Sequence, residues 1–234
     1  MNDTGENSGR AAGERYASPA MLERRKRILT VARELVSEQG IDGFSVDLLC
    51  RRADIARQTL YNAFKSKEGV IAAAILDYFE EYEARIPYRS PVGTLDRLIE
   101  RIVAVGNRNL AIRNYIGAIT EFYFSSTAGD DLRGTMRGIF SSIQQPYVKN
   151  LAESGSLHPW ITEDRLIEAM DEQRMVVAGK WAQGRMGDAD FVNVMVIAVL
   201  TCLAGSTRGR RNADILATIE KIAATGADAY VERL

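Results

Sequence analysis

Apolar residues recur three and four positions apart along most of this chain, and no segment alternates apolar with polar between turn dipeptides. Such spacing predicts an all-α protein. The first stripe, Ile28, Val31, Ala32, Leu35 and Val36, places a helix over 19–39 that Gly40 stops. Ser45 then suits the N-cap of a short helix over 46–53, burying Val46, Leu49 and Cys50. Asp54 and Ile55 interrupt it, and a second short helix follows over 57–64. Ser66 caps a longer helix whose apolar face is Val70, Ile71, Ala74, Ile75, Tyr78 and Phe79, fading near Pro87. Beyond it, helices read over 91–110, 113–125, 130–154, 162–186, 188–207 and 212–233. Thr94, Thr162, Asp188 and Asn212 are the expected caps, and Gly129, Gly155 and Gly187 the expected breaks. The helix over 188–207 is apolar nearly all round, as for a helix buried on more than one side.

The short helix over 57–64 raises a question of chemistry. Only Leu60 and Phe64, with Ala63 beside them, need be buried. At 100° per residue, Arg57, Gln58, Tyr61 and Asn62 fall on the other side. That outer face is planar and rich in hydrogen-bonding groups. Arg can pair with guanine, and Gln or Asn with adenine, through two bonds each in the major groove. Tyr61, Lys65 and Lys67 can donate to phosphate oxygens, as can the free amides at the Ser66 helix start. Two short helices joined by a tight turn, the second bearing such a face, form a helix-turn-helix arrangement.

Charge supports an anionic polymer as partner. The whole chain of 234 residues carries a net charge of −1, but residues 22–67 hold ten Lys or Arg against six Asp or Glu. A basic amino-terminal piece therefore sits on an acidic body. Four consecutive cations, Arg24 to Arg27, precede the first apolar stripe and oppose the helix dipole unless phosphates meet them. Two distant cysteines, Cys50 and Cys202, argue for reduced thiols in a cytoplasmic protein. The polar amino terminus reads as having no signal peptide, and the apolar run over 191–205 as too short to span a bilayer.

The segment "ILTVARELVSEQGIDGFSVDLLCRRADIARQTLYNAFKSKEGVIAAAI" resembles the DNA-binding domain of the TetR family of bacterial transcription regulators. Gly40, Phe44, Ser45, Thr59, Leu60, Tyr61, Phe64, Lys67 and Glu68 match the family pattern in order and spacing. Three positions depart from it. Asp54 stands where the family usually has Gly in the turn, Ala56 where it often has a capping Ser, and Ala63 where a polar or aromatic residue is common. These departures bear on the operator sequence more than on the fold.

Residues 1–20 are small and polar and read as a disordered arm, with too little apolar area to offset their ordering entropy. The resemblance implies a helix-turn-helix domain at 21–66, a connecting helix at 67–87, and an effector-binding and dimerisation domain at 88–234. It implies that Ser45, Arg57, Gln58, Thr59, Tyr61, Asn62, Lys65 and Lys67 serve DNA binding. It also implies a homodimer paired through the helices at 162–186 and 188–207, on a palindromic double-stranded operator. A small, largely apolar effector is expected in the body. Candidates to line its pocket are Arg113, Tyr115, Phe122, Tyr123, Met136, Phe140, Gln144, Tyr147, Met170, Arg174 and Trp181, with Phe124, Trp160 and Glu121 as further neighbours.

Enzyme signals are weak. His158 is the only histidine and sits beside Pro159 in an expected loop, so neither a zinc cluster nor a catalytic triad is expected. Glu168, Asp171 and Glu172 read as a solvated acidic face, and the glycines at 205 and 209 lack the Lys-Ser/Thr of a phosphate loop. No cofactor or metal is expected. The reading is a repressor released from DNA by its effector. An activator or a ligand sensor with weak DNA binding shares every motif, and a helical enzyme or scaffold is the remote alternative.

Overall fold

The computed structural model describes residues 18–125 and 130–234; side chains at 130–133, 135–137, 139, 140 and 143 lie outside the description. The expected arm therefore lies outside it as far as residue 17, as do the predicted break at Gly129 and the candidate side chains Met136 and Phe140. Eleven helices and no strand occur among the described residues, apart from one antiparallel bridge between Leu157 and Thr207. The chain is all-α, with a small amino-terminal helix-turn-helix domain and a larger helical body.

The head contains α1 (Pro19–Gln39), α2 (Val46–Arg52) and α3 (Arg57–Phe64), and α4 (Lys67–Glu83) leaves it for the body. Ser18, Ser45 and Ser66 each accept a bond from a first-turn amide of the helix that follows, at Met21, Leu48 and Gly69. The expected stripe of α1 is buried, joined by Leu29. It meets Phe44, Leu49, Leu60, Phe64, Val70 and Ile71 in one core. Each such side chain contributes about 1.5–3 kcal/mol on leaving water. Ala63 does not join them; it is exposed on α3.

Two non-glycine residues hold positive φ, and they bracket α3: Asp54 at 50° and Lys65 at 71°. Asp54 makes the left-handed turn that places α3 across α2, a conformation its short polar side chain tolerates. Lys65 is more strained. Its ψ is −46°, and the Ser66 amide donates to the Phe64 carbonyl at 2.8 Å, forming a classic-type γ-turn. Strain of this kind persists only where the surroundings over-determine it.

The body holds α5 (Leu95–Leu110), α6 (Arg113–Phe124), α7 (Asp130–Glu153), α8 (Glu163–Ala182), α9 (Asp188–Ser206), α10 (Gly209–Thr225) and α11 (Ala227–Glu232). Several boundaries differ from expectation for local reasons. Thr94 takes the cap of α5, so that helix starts at Leu95 and not at 91. α8 stops at Ala182 because Gly184 turns the chain at φ 72°. The single helix expected over 212–233 is two, broken at Gly226 with φ 88°, where the Asn193 side chain on α9 accepts from the Ala227 amide at 2.6 Å. Asn212 caps nothing; it lies inside α10 and donates to the Ala204 carbonyl at 2.6 Å, tying α10 to α9. Nor does Asp188 cap α9: Gly187 holds that position, and the Asp188 carboxylate accepts from Trp181 Nε1 at 2.7 Å.

α9 is central to the body, packing against α5, α8 and α10. At 19 residues it is long and apolar enough to cross a membrane by length and composition, contrary to the expectation from its shorter apolar run. Its buried side, which includes Phe191, Met195, Val196, Val199, Leu200 and Leu203, is core. Head and body meet through α1, which packs on α4 and α6, and through α4, which packs on α7.

Candidate nucleic-acid interface and body cavity

Leu60 and Phe64 plug α3 into the head and so set which side of it faces solvent. Arg57, Gln58, Tyr61, Asn62 and Lys65 are exposed, and Thr59 is half-buried. The outer row is already organised by its own bonds. Arg57 Nε donates to Asp47 Oδ1 on α2 at 2.5 Å, and Gln58 Nε2 donates to Asn62 Oδ1 at 2.9 Å, one turn apart. The Arg57 guanidinium beside Asp47 holds that carboxyl below its ordinary range. No side chain caps α3, since Ala56 occupies the N-cap position; in the first turn the Thr59 amide donates to the Ala56 carbonyl at 3.0 Å instead.

The flanking cations divide into two groups. Arg27 Nε donates to the Ala53 carbonyl at 2.9 Å and closes the end of α2, and Arg52 pairs with Glu38. Arg25 lies over the Phe64 ring at 4.9 Å, beside a groove of about 550 Å³ between the start of α1 and α3, walled by Met21, Arg24, Thr59, Asn62 and Ala63. Lys67 is half-buried, with Nζ 3.5 Å from the Asp42 carbonyl and 6.0 Å from the centre of the Phe44 ring. It braces the α1–α2 turn at the edge of the outer face. Ser45 is half-buried and engaged as a cap.

The effector candidates scatter. Tyr115, Phe122, Gln144, Tyr147, Met170, Arg174 and Trp181 are buried, Tyr123 is half-buried, and Trp160 and Phe124 are exposed. Trp160 stacks on His158 at the surface. Trp181 is core, stacked on Phe191 at 4.3 Å, with Arg113 over its outer side and paired to Asp188. Arg113 and Tyr115 line a groove of about 640 Å³ with Arg33, Tyr78 and Arg108, Tyr147 lines two further spaces of about 550 and 170 Å³, and Arg174 lines a small cavity inside the body. That cavity, of about 30 Å³, lies between α4, α5, α6, α8 and α9 and is walled by Phe79, Val105, Asn109, Thr120, Asp171, Met175 and Met195 among others.

The acidic-face reading fails at Asp171, which is 2% exposed and accepts from Gln144 Nε2 and Ser141 Oγ. Glu172 does face solvent. Sequence reasoning missed Asn109 and Thr120 as well, two polar positions on otherwise apolar helix faces. Among the described residues no cluster of His, Cys, Asp and Glu could hold a metal ion.

Residues 28–74 match the family model described as bacterial regulatory proteins, tetR family. The chain is 38% identical to the HTH-type transcriptional regulator UidR of Escherichia coli K12 over 96 residues, covering 38% of this chain and 48% of that one. It is 32% identical to the HTH-type transcriptional repressor KstR of Rhodococcus jostii RHA1 over 96 residues, covering 40% and 45%. The chain thus spans about half the length of the curated relatives it matches. Its fold is similar to that of full-length TylP, a tetR regulator from Streptomyces fradiae, with a TM-score of 0.61 at 17% identity over 92% of this chain and 99% of that one. Residues 28–74 thus match the amino-terminal domain of the tetR family, and the chain as a whole shares the fold of a solved tetR regulator.

Proposed function

We propose that the protein is a sequence-specific transcriptional repressor whose grip on double-stranded DNA is released by a small effector bound in the body. The observation that carries this reading is the outer face of α3, where Arg57, Gln58, Tyr61 and Asn62 stand clear of a helix seated by Leu60 and Phe64. Arg57, Gln58 and Asn62 read base edges; Tyr61 and Lys65 hold phosphates, with Thr59, Lys67 and the Ser45 cap supporting the frame. Selection of bound sites from random duplexes tests it directly. A palindromic consensus is the expected outcome, and enrichment of no sequence contradicts it.

A palindrome needs two identical readers, and the exposed faces of the last long helices favour a homodimer. On α9, Val194, Ile197, Ala198, Thr201 and Gly205 line one uncharged side, and on α10 Leu216, Ile219 and Ala223 continue it. The outer side of α8 is charged instead, with Arg165, Glu172 and Lys180. Pairing through α9 with α10 therefore fits better than pairing through α8 with α9, the two helices the sequence points to.

Release is a shift between two arrangements of the readers, driven by the effector's preference for one of them. α4 belongs to both units. Asp77 on it pairs with Arg33 of α1 at 3.0 Å, and Tyr82 donates to the Ala104 carbonyl of α5 at 2.8 Å. A change in the body wall at Phe79 is transmitted along that helix to the seat of α3.

A further inference from the structure

A carboxylate stands against the outer row of α3. Asp47, in the first turn of α2, takes Arg57 Nε on its Oδ1 at 2.5 Å, and the same oxygen pairs with Arg57 Nη2. Both side chains are more than half exposed, so the pair contributes little to stability. Nor does α2 need it. A first-turn carboxylate favours the helix dipole in any rotamer, and Arg51 stands one turn along α2 as a partner nearer in sequence. The carboxylate reaches across to α3 instead. There it holds negative charge beside a face proposed to meet a polyanion, where it works against binding.

The geometry of the pair says what it does to Arg57. A guanidinium has two forks of N–H groups, one from Nε and Nη2 and one from Nη1 and Nη2. Asp47 closes the first and leaves the second open. The open fork matches the O6 and N7 acceptors that guanine presents in the major groove. Phosphate oxygens compete for the same donors and carry no sequence information. An unpaired arginine can turn either fork to them. With Asp47 beside it, Arg57 is held in one orientation, and the carboxylate repels a phosphate that approaches. The turn at Asp54, with its φ of 50°, brings the starts of α2 and α3 close enough for this contact.

We infer that Asp47 is a positioning residue for base recognition: by closing one fork of Arg57 it turns the other to a guanine and keeps it from the phosphates. The inference rests on the reading that α3 meets DNA. It adds the base that Arg57 selects and a residue on α2 that the sequence did not single out. Asp47 thus lowers affinity for DNA of every sequence while raising discrimination at one base pair. A residue that only held α2 in place would not separate those two quantities.

The test starts from a duplex selected out of random sequences by the full chain. The base pair at which Arg57→Ala loses discrimination is replaced by each of the other three. Wild type, Asp47→Ala, Asp47→Asn, Arg57→Ala and the Asp47→Ala, Arg57→Ala double variant are titrated on all four duplexes and on a random one. Wild type is expected to prefer guanine there by roughly 10–100-fold. Asp47→Ala should cut that preference to roughly threefold or less while binding the random duplex more tightly, and Asp47→Asn, which keeps an acceptor, should retain part of it. In the Arg57→Ala background, Asp47→Ala should change discrimination no further. A full guanine preference in Asp47→Ala, equal weakening on every duplex, a preferred base other than guanine, or additive losses in the double variant overturns the proposal. Asp47→Asn alters no shape, so it decides if the Ala variant does not fold. A wild-type chain that enriches no sequence fails the regulator reading itself, whereas an enriched site with an unchanged Asp47→Ala preference sinks only the role of Asp47.

Discussion

At the residue scale, the reader domain is held by a few positions with a definite backbone task. Ala56 leaves α3 without a side-chain cap. Ala56→Ser should therefore stabilise the head by about 0.5–1 kcal/mol in urea denaturation. Gly69 has the opposite character. A Cβ there would meet the Phe64 carbonyl oxygen at 2.1 Å, against the γ-turn at Lys65. Gly69→Ala is expected to lower the melting temperature and weaken DNA binding together, by shifting α3 on its seat; an unperturbed Gly69→Ala protein would show that the turn is not needed. The outward row of α3 was legible in sequence because Leu60 and Phe64 fix the rotation of a two-turn helix. The Arg57–Asp47 pair was not, because it depends on the angle between α2 and α3, which Asp54 sets. Asp171 was misread for a related reason: it lies on a helix contacted from several sides, and the wheel alone does not say which arcs are covered.

At the scale of elements, helices were legible wherever a cap and a stripe agreed, as in α2, α4 and the start of α8. Boundaries moved where a glycine or a distant side chain decided them. Gly226 is the plainest case: the period runs on through it, but Asn193 on α9 fixes the turn. The same limit applies to subunit pairing. An all-apolar α9 signals burial, while the proposed choice of α10 over α8 as its companion rests on the exposure of each face, which the sequence does not give. Ile197→Glu places a charge in the middle of the uncharged side. It should convert a dimer to a monomer in sedimentation equilibrium, with loss of tight operator binding, whereas Glu172→Lys on the outer side of α8 should leave the dimer intact. The reverse pattern would move the interface to α8.

At the scale of the molecule, a head with a local charge of +4 rides on a body that carries the compensating negative charge. Association with DNA should accordingly be steep in salt. Operator affinity is expected to fall roughly 10³-fold or more between about 50 and 200 mM salt, as for ~6–10 phosphate contacts. Tyr61→Ala should flatten that slope, while a slope unchanged by it would remove Tyr61 from the phosphate contacts. Coupling between effector and reader also belongs to this scale, since α4 carries Phe79 at the cavity and Lys67 at the head.

The most direct test of the account compares wild-type protein with Arg57→Ala and Asn62→Ala on the selected duplex and on every single-base variant of its half-site. Each substitution is expected to abolish discrimination at one or two base positions, at about 1–3 kcal/mol per base, and to spare the others. Equal weakening on all sequences, or no change at all, would contradict the claim that α3 reads the DNA.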